Sequence, residues 1–180
     1  MMSSIPKKSI GLLGGSFDPA HKGHLRISKI SIAKFKLKKI YWVITKKNPF
    51  KNQAFYSLSE RIKYAKKITK SQEKIKIIYL DNIIKSYRII DVINYFIKKK
   101  KIKDIFFIIG SDNLIRFHKW KSWKKIVKLV KLIVFSRKGY DRKGMKSIVA
   151  KNFKNRIIFV KNKPISISST QLKKRLKLDI

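Results

Sequence analysis

The chain has 180 residues, 44% of them hydrophobic, enough to bury a sizeable core in one domain and too apolar for a disordered polycation. It contains 47 Lys and Arg against 9 Asp and Glu, a formal net charge of +38. It has no cysteine, which excludes disulfides and thiolate metal centres.

The first six residues, Met1 to Pro6, lack the apolar stretch of a signal peptide. No apolar run approaches the roughly 20 residues of a membrane span, so a cytoplasmic protein without a membrane partner is expected. Residues 10–13, Ile-Gly-Leu-Leu, read as a first buried strand. Gly14, Gly15 and Ser16 then form an expected glycine turn, followed by a helix over residues 23–35 with Leu25, Ile32 and Phe35 on its apolar face. A strand, a glycine turn and a helix N-terminus together direct backbone N–H groups at an anion. His21 and His24, three residues apart, fall on one side of the first helical turn.

Residues 40–44, rich in β-branched and aromatic side chains, read as a second strand leading into a polar loop over 45–52. Ser57-Leu58-Ser59-Glu60 has the form of a capping box opening a helix that buries Leu58, Ile62, Ala65 and Ile68. Residues 75–80 are a third strand and 90–97 a helix, ended by the lysine run 98–101. The clearest buried strand is 104–110, stopping at Gly110 before Ser111-Asp112-Asn113. A helix over 123–129, a strand over 132–136, a loop over 139–144, a strand over 156–160 and a short helix over 170–176 complete the chain.

Strands alternating with helices imply parallel βαβ units, an α/β, Rossmann-like, doubly wound and mainly parallel sheet with helices on both faces, in one domain spanning residues 1–180. Ligands in such sheets sit beyond the carboxyl ends of the strands, where the strand order reverses. Three polar motifs fall at strand ends, at 14–24, 45–51 and 110–112, and should gather along one edge. The lysines are scattered over nearly every segment. That pattern reads as an AT-rich coding bias more than as a nucleic-acid footprint, although its field would draw in anionic substrates.

The string Gly14-Gly15-Ser16-Phe17-Asp18-Pro19-Ala20-His21-Lys22-Gly23-His24 resembles the GxFDPxHxGH signature of the HxGH nucleotidyltransferases, and among them most resembles the bacterial nicotinate-nucleotide adenylyltransferases. Three further motifs follow in that family's order. Trp42-Val43-Ile44-Thr45 with Asn48-Pro49-Phe50-Lys51 is similar to its W-V-T-x-x-N-P-x-K segment. Gly110-Ser111-Asp112-Asn113 with Phe117-His118-Lys119-Trp120 and Trp123 is similar to its GADN…FHxW…W block, and Ile167-Ser168-Ser169-Thr170-Gln171-Leu172-Lys173 to its ISSTxIR ending.

The resemblance implies adenylyl transfer from ATP to nicotinate mononucleotide, giving deamido-NAD and pyrophosphate. His21 and His24 are then the catalytic pair on the triphosphate. Gly14, Gly15, Ser16, Phe17, Lys51, Gly110, Asp112, Ser168, Ser169, Thr170 and Lys173 are implied to bind ATP, and Trp120, Ile89 and Lys51 the nicotinate nucleotide. Mg²⁺ is expected with ATP, with no resident metal site. The partners expected are the two substrates, with no specific nucleic acid; a homo-oligomer stays open. The chain departs from the family in two places. Lys173 stands where the family has Arg, which keeps the charge and loses the fork. Tyr87-Arg88-Ile89-Ile90-Asp91 lacks the threonines that help the family read the nicotinate carboxylate. Nicotinamide mononucleotide or phosphopantetheine as the acceptor, or a basic nucleic-acid-binding relative with impaired catalysis, therefore remain alternatives.

Overall fold

A computed structural model describes residues 9–46 and 54–162. Lys51, Ser168, Ser169, Thr170, Lys173 and the helix expected over 170–176 lie outside the described residues. The sheet is built from β1 (Ile10–Gly15), β2 (Lys39–Ile44), β3 (Ile75–Tyr79), β4 (Ile105–Gly110), β5 (Lys131–Phe135) and β6 (Ile157–Val160). Their spatial order is β3-β2-β1-β4-β5-β6, and every pairing is parallel. This is the α/β doubly wound fold expected, with the order reversing between β1 and β4.

Alternation along the strands feeds two cores, one on each face. Ile10 and Leu12 of β1, Ile105, Phe107 and Ile109 of β4, and Leu132 and Val134 of β5 share one core with α4 (Ile89–Lys98), α5 (Ser111–Arg116), α6 (Trp123–Leu129) and α8 (Ile148–Asn152). Leu13, Phe106, Ile108, Ile133 and Phe135 face the other, under α1 (Lys22–Lys34) and α2 (Leu58–Ile68). Strands covered on both faces read as near-continuous apolar runs, which is why β4 stands out in the sequence.

Several expectations need correction. Gly14 and Gly15 are not a turn; they are the last two residues of β1, paired with Val43 and Ile44 of β2. The turn falls over residues 16–20, where Phe17 takes the left-handed conformation at φ 47°. Residues 139–144 are not simply a loop, because α7 (Asp141–Met145) begins inside them. Gly144 lies within that helix since a Cβ there would come within 3.2 Å of Ser111, so the glycine reflects close packing of α7 on α5. Two more short helices, α3 (Asp81–Ile84) and α5, follow strands β3 and β4 directly where no helix was expected.

Candidate active site

The central strand shows where the sheet opens. β1 is buried from Ile10 to Leu13, then Gly14 is exposed and Gly15 half-buried. Its neighbour β4 ends at half-buried Gly110 in the same way. Both endings lie at the reversal of strand order, the crevice such sheets use for ligands.

The turn after β1 leads into α1 through an unusual cap. His21 is the N-cap residue, 8% exposed, and its Nδ1 accepts a hydrogen bond from the Gly23 N–H at 3.1 Å. In return the His21 N–H donates to His24 Nδ1 at 3.2 Å, so each imidazole satisfies a donor that the helix start would leave orphaned. The ring centroids are 3.9 Å apart. An Nδ1 that accepts carries no proton, so each neutral ring holds its proton on Nε2. The pair therefore presents two N–H donors in a fixed tautomer at a helix N-terminus, an arrangement suited to phosphate oxygens.

The rest of the turn is held from several sides. Phe17 is 2% exposed; its ring stacks on Trp42 at 5.0 Å and lies 4.8 Å from His24, so contact with a ligand is left to its backbone. The Trp42 indole N–H donates to Ser28 Oγ, which donates to the His24 carbonyl, both at 2.8 Å. Asp18 is a buried anchor whose carboxylate accepts from the N–H groups of Phe55 and Tyr56, each at 2.9 Å. After β2, Asp81 accepts from Thr45 Oγ1 and the Lys46 N–H, again at 2.9 Å.

Arg61 is the residue that nothing in the sequence singled out. Only 2% of it is exposed, and its guanidinium donates to the carbonyls of Ser16 (2.7 Å), Thr45 (2.9 Å) and Tyr56 (3.2 Å). Burial pulls its pKa below the ordinary value while the carboxylates of Asp18 and Asp81 oppose part of the drop, and an arginine remains charged throughout.

Beyond β4, a Cβ placed on Gly110 would run into Asp112 Oδ1 and lie 3.1 Å from Arg137 Nε, so a larger residue there would displace both side chains. Asp112 pairs with Arg137, Oδ1 to Nε, at 3.5 Å. Ser111 Oγ and the Arg137 N–H both donate to Asp141. Burial acts to raise the Asp141 pKa, but these bonds and one from Ser136 outweigh it and hold the carboxyl below its usual range. Gly14 and Gly15 differ: added Cβ atoms would meet nothing closer than 3.6 Å. The fold does not demand glycine there.

Among the residues expected for the nicotinate nucleotide, Ile89 opens α4 with its Cδ1 3.8 Å from the Cβ position of Gly14, bringing it beside the β1 end. Trp120 is half-buried, stacked on Phe117 at 4.9 Å and edge-on to Phe107 at 6.0 Å. Trp123 packs edge-on against Phe153 at 5.7 Å. His21, His24, the β1 glycines, the end of β2, Gly110 and Asp112 thus share one edge of the sheet.

The family model described as cytidylyltransferase-like matches residues 12–175. A Pelagibacter ubique protein described as a probable nicotinate-nucleotide adenylyltransferase is 50% identical over 169 residues, 93% of each chain. The chain belongs to the nicotinate-nucleotide adenylyltransferase family. A relative from Endomicrobium trichonymphae with the same description is 30% identical over 94% of this chain and 86% of its own. Two solved structures of the Plasmodium falciparum nicotinic acid mononucleotide adenylyltransferase, one with NaAD and one with APC, superpose with a TM-score of 0.73. They cover 93% of this chain and 83% of theirs at 21% and 20% identity, a likeness of fold. No helix among the described residues of this adenylyltransferase family member is long and apolar enough to cross a membrane.

Proposed function

We propose that the chain transfers the adenylyl group of ATP to nicotinate mononucleotide, forming deamido-NAD and pyrophosphate in NAD biosynthesis. The observation that carries this reading is the reciprocal imidazole cap: with both Nδ1 atoms accepting, each neutral ring holds its proton on Nε2, at a helix N-terminus that follows β1, the strand at which the order reverses. In the reaction a phosphate oxygen of the mononucleotide attacks the α-phosphorus of ATP in line. The new O–P bond forms as the bond to the β-phosphate oxygen breaks, and the electron pair leaves with pyrophosphate. The attacking phosphate is already ionised at neutral pH, so no general base is required of the histidines.

Their task is to donate hydrogen bonds to triphosphate oxygens whose charge grows in the transition state. Gly14 and Gly15 leave room for the nucleotide to approach the backbone, and the helix start adds its dipole. Asp112 suits the ribose hydroxyls as a hydrogen-bond acceptor. Trp120 offers a face for the pyridine ring, and Ile89 an apolar wall beside it. Lys51, Ser168, Ser169, Thr170 and Lys173 are the further phosphate contacts of this reading.

Among the described residues no three histidine, aspartate or glutamate side chains converge to hold a metal. A Mg²⁺ carried on the triphosphate needs no such cluster, since phosphate oxygens and water are its ligands, and it would screen the charge of ATP. The cytoplasm is the location that goes with this activity. The test is pyrophosphate release by the purified protein with Mg²⁺, ATP and either the acid or the amide mononucleotide. Turnover that favours the acid is expected. No release with either nucleotide overturns the proposal, and preference for the amide moves it to nicotinamide mononucleotide.

A further inference from the structure

Arg61 takes no part in the chemistry above, yet it is the most deeply engaged cation among the described residues. A trans peptide points its C=O and N–H in opposite directions, so a donor that fixes a carbonyl also fixes where the next N–H is aimed. Two of the peptides held by Arg61 display this directly. The Thr45 carbonyl meets Arg61 Nη1 while the Lys46 N–H, across the same peptide, reaches Asp81. The Tyr56 carbonyl meets Arg61 Nε while the Ser57 N–H reaches Glu60 at 2.8 Å. The third peptide joins Ser16 to Phe17. Its carbonyl lies 2.7 Å from Arg61 Nη1, so the Phe17 N–H is turned away from α2, at a residue whose left-handed φ of 47° needs to be held.

We propose that Arg61 is a positioning residue for the nucleotide site: one buried guanidinium ties the turn after β1 to the end of β2, fixing the direction of the Phe17 N–H and the spacing of the two strand ends. The planar fork is what makes this possible, because Nη1 and Nε reach carbonyls from three separate segments at once. An ammonium carries the same charge without that span. The inference rests on the functional reading above, in that the strand ends concerned are those on which the substrates would lie.

The test is Arg61→Lys, with kcat and both KM values measured beside the melting midpoint and the folded fraction. The variant is expected to stay folded while kcat/KM falls about 100-fold, the loss that a shift of about 1 Å in a reacting group produces. Part of that loss should appear in KM for at least one substrate. Arg61→Gln, which keeps a planar donor at shorter reach, is expected to fall at least as far.

A kcat/KM within threefold of the parent overturns the proposal. So does a loss in kcat that follows the folded fraction with both KM values unchanged, because that marks a residue needed only for folding. If neither variant folds, the role is structural and the proposal fails. A parent protein without turnover refutes the functional reading itself, and ATP affinity by titration calorimetry then becomes the readout: unchanged affinity in Arg61→Lys overturns the positioning role.

Discussion

Helices α1 and α2 begin with the same reciprocal device made from different side chains. At α2, Ser57 Oγ accepts from the Glu60 N–H and the Glu60 carboxylate accepts from the Ser57 N–H. At α1 the counterparts are His21 Nδ1, which accepts from the Gly23 N–H one residue nearer the helix start, and His24 Nδ1, which accepts from the His21 N–H. Serine and glutamate are favoured for this work and histidine is not. The chain is thus able to close a helix with ordinary residues and does so at α2. The imidazoles at α1 add something that a hydroxyl and a carboxylate lack, a second ring nitrogen that carries a proton. One cap serves its helix alone, while the other, in the proposed reaction, gives up a better cap for chemistry.

The sharpest way to break this comparison is His24→Ala. Removing one donor to a developing oxyanion costs about 100- to 1000-fold in turnover, and that loss is expected in kcat for pyrophosphate release. Stability should fall by only about 1 kcal/mol, read by thermal melting, because one leg of the cap disappears. A smaller effect is expected from His21→Asn, since asparagine caps well but offers no Nε2–H: turnover should drop about 100-fold with the melting midpoint unchanged or raised. Wild-type turnover in that variant would mean that His21 is present for the helix alone.

On the other side, Ser57→Ala should lower the melting midpoint by about 3 °C and leave turnover within about twofold. The smallest effect concerns pH. Hydrogen bonds from the Ser57 side chain and backbone hold the Glu60 carboxyl below its ordinary 4.5. A lowered pKa means that the contribution is full above the unfolded value and vanishes as pH falls through the folded one. The gap between the melting midpoints of the parent and Ser57→Ala should therefore narrow as pH falls below 4.5, without closing, because Ser57 Oγ still accepts from the Glu60 N–H in the parent.

The parts legible in the sequence were those where one physical demand dominates. The run Ile105 to Ile109 announces a strand buried on both faces, and Ser57-x-x-Glu60 announces its own helix. Arg61 was hidden because a buried guanidinium looks like any of 47 cations. The available hint is its place four residues before Ala65, on the face α2 turns inward. α5 and α7 escaped notice because six- and five-residue helices are set by packing more than by propensity. Gly144 even carries the wrong local signal, a breaker residue inside a helix, until Ser111 is seen against it. The role of Asp18 was obscured for a similar reason: Asp-Pro suggests a turn, and its two acceptor bonds lie 37 and 38 residues further along.

The room left beside Gly14 has a practical consequence. A methyl group there would touch Phe107 and Ile89 at 3.6 and 3.8 Å, ordinary packing distances, so the protein itself tolerates an alanine. Under the proposed function, the size of that opening is consequently a parameter of selectivity and not of foldability. Residue 14 is the natural place to graft a steric gate that sorts bulky from slender nucleotide analogues while the scaffold stays as it is.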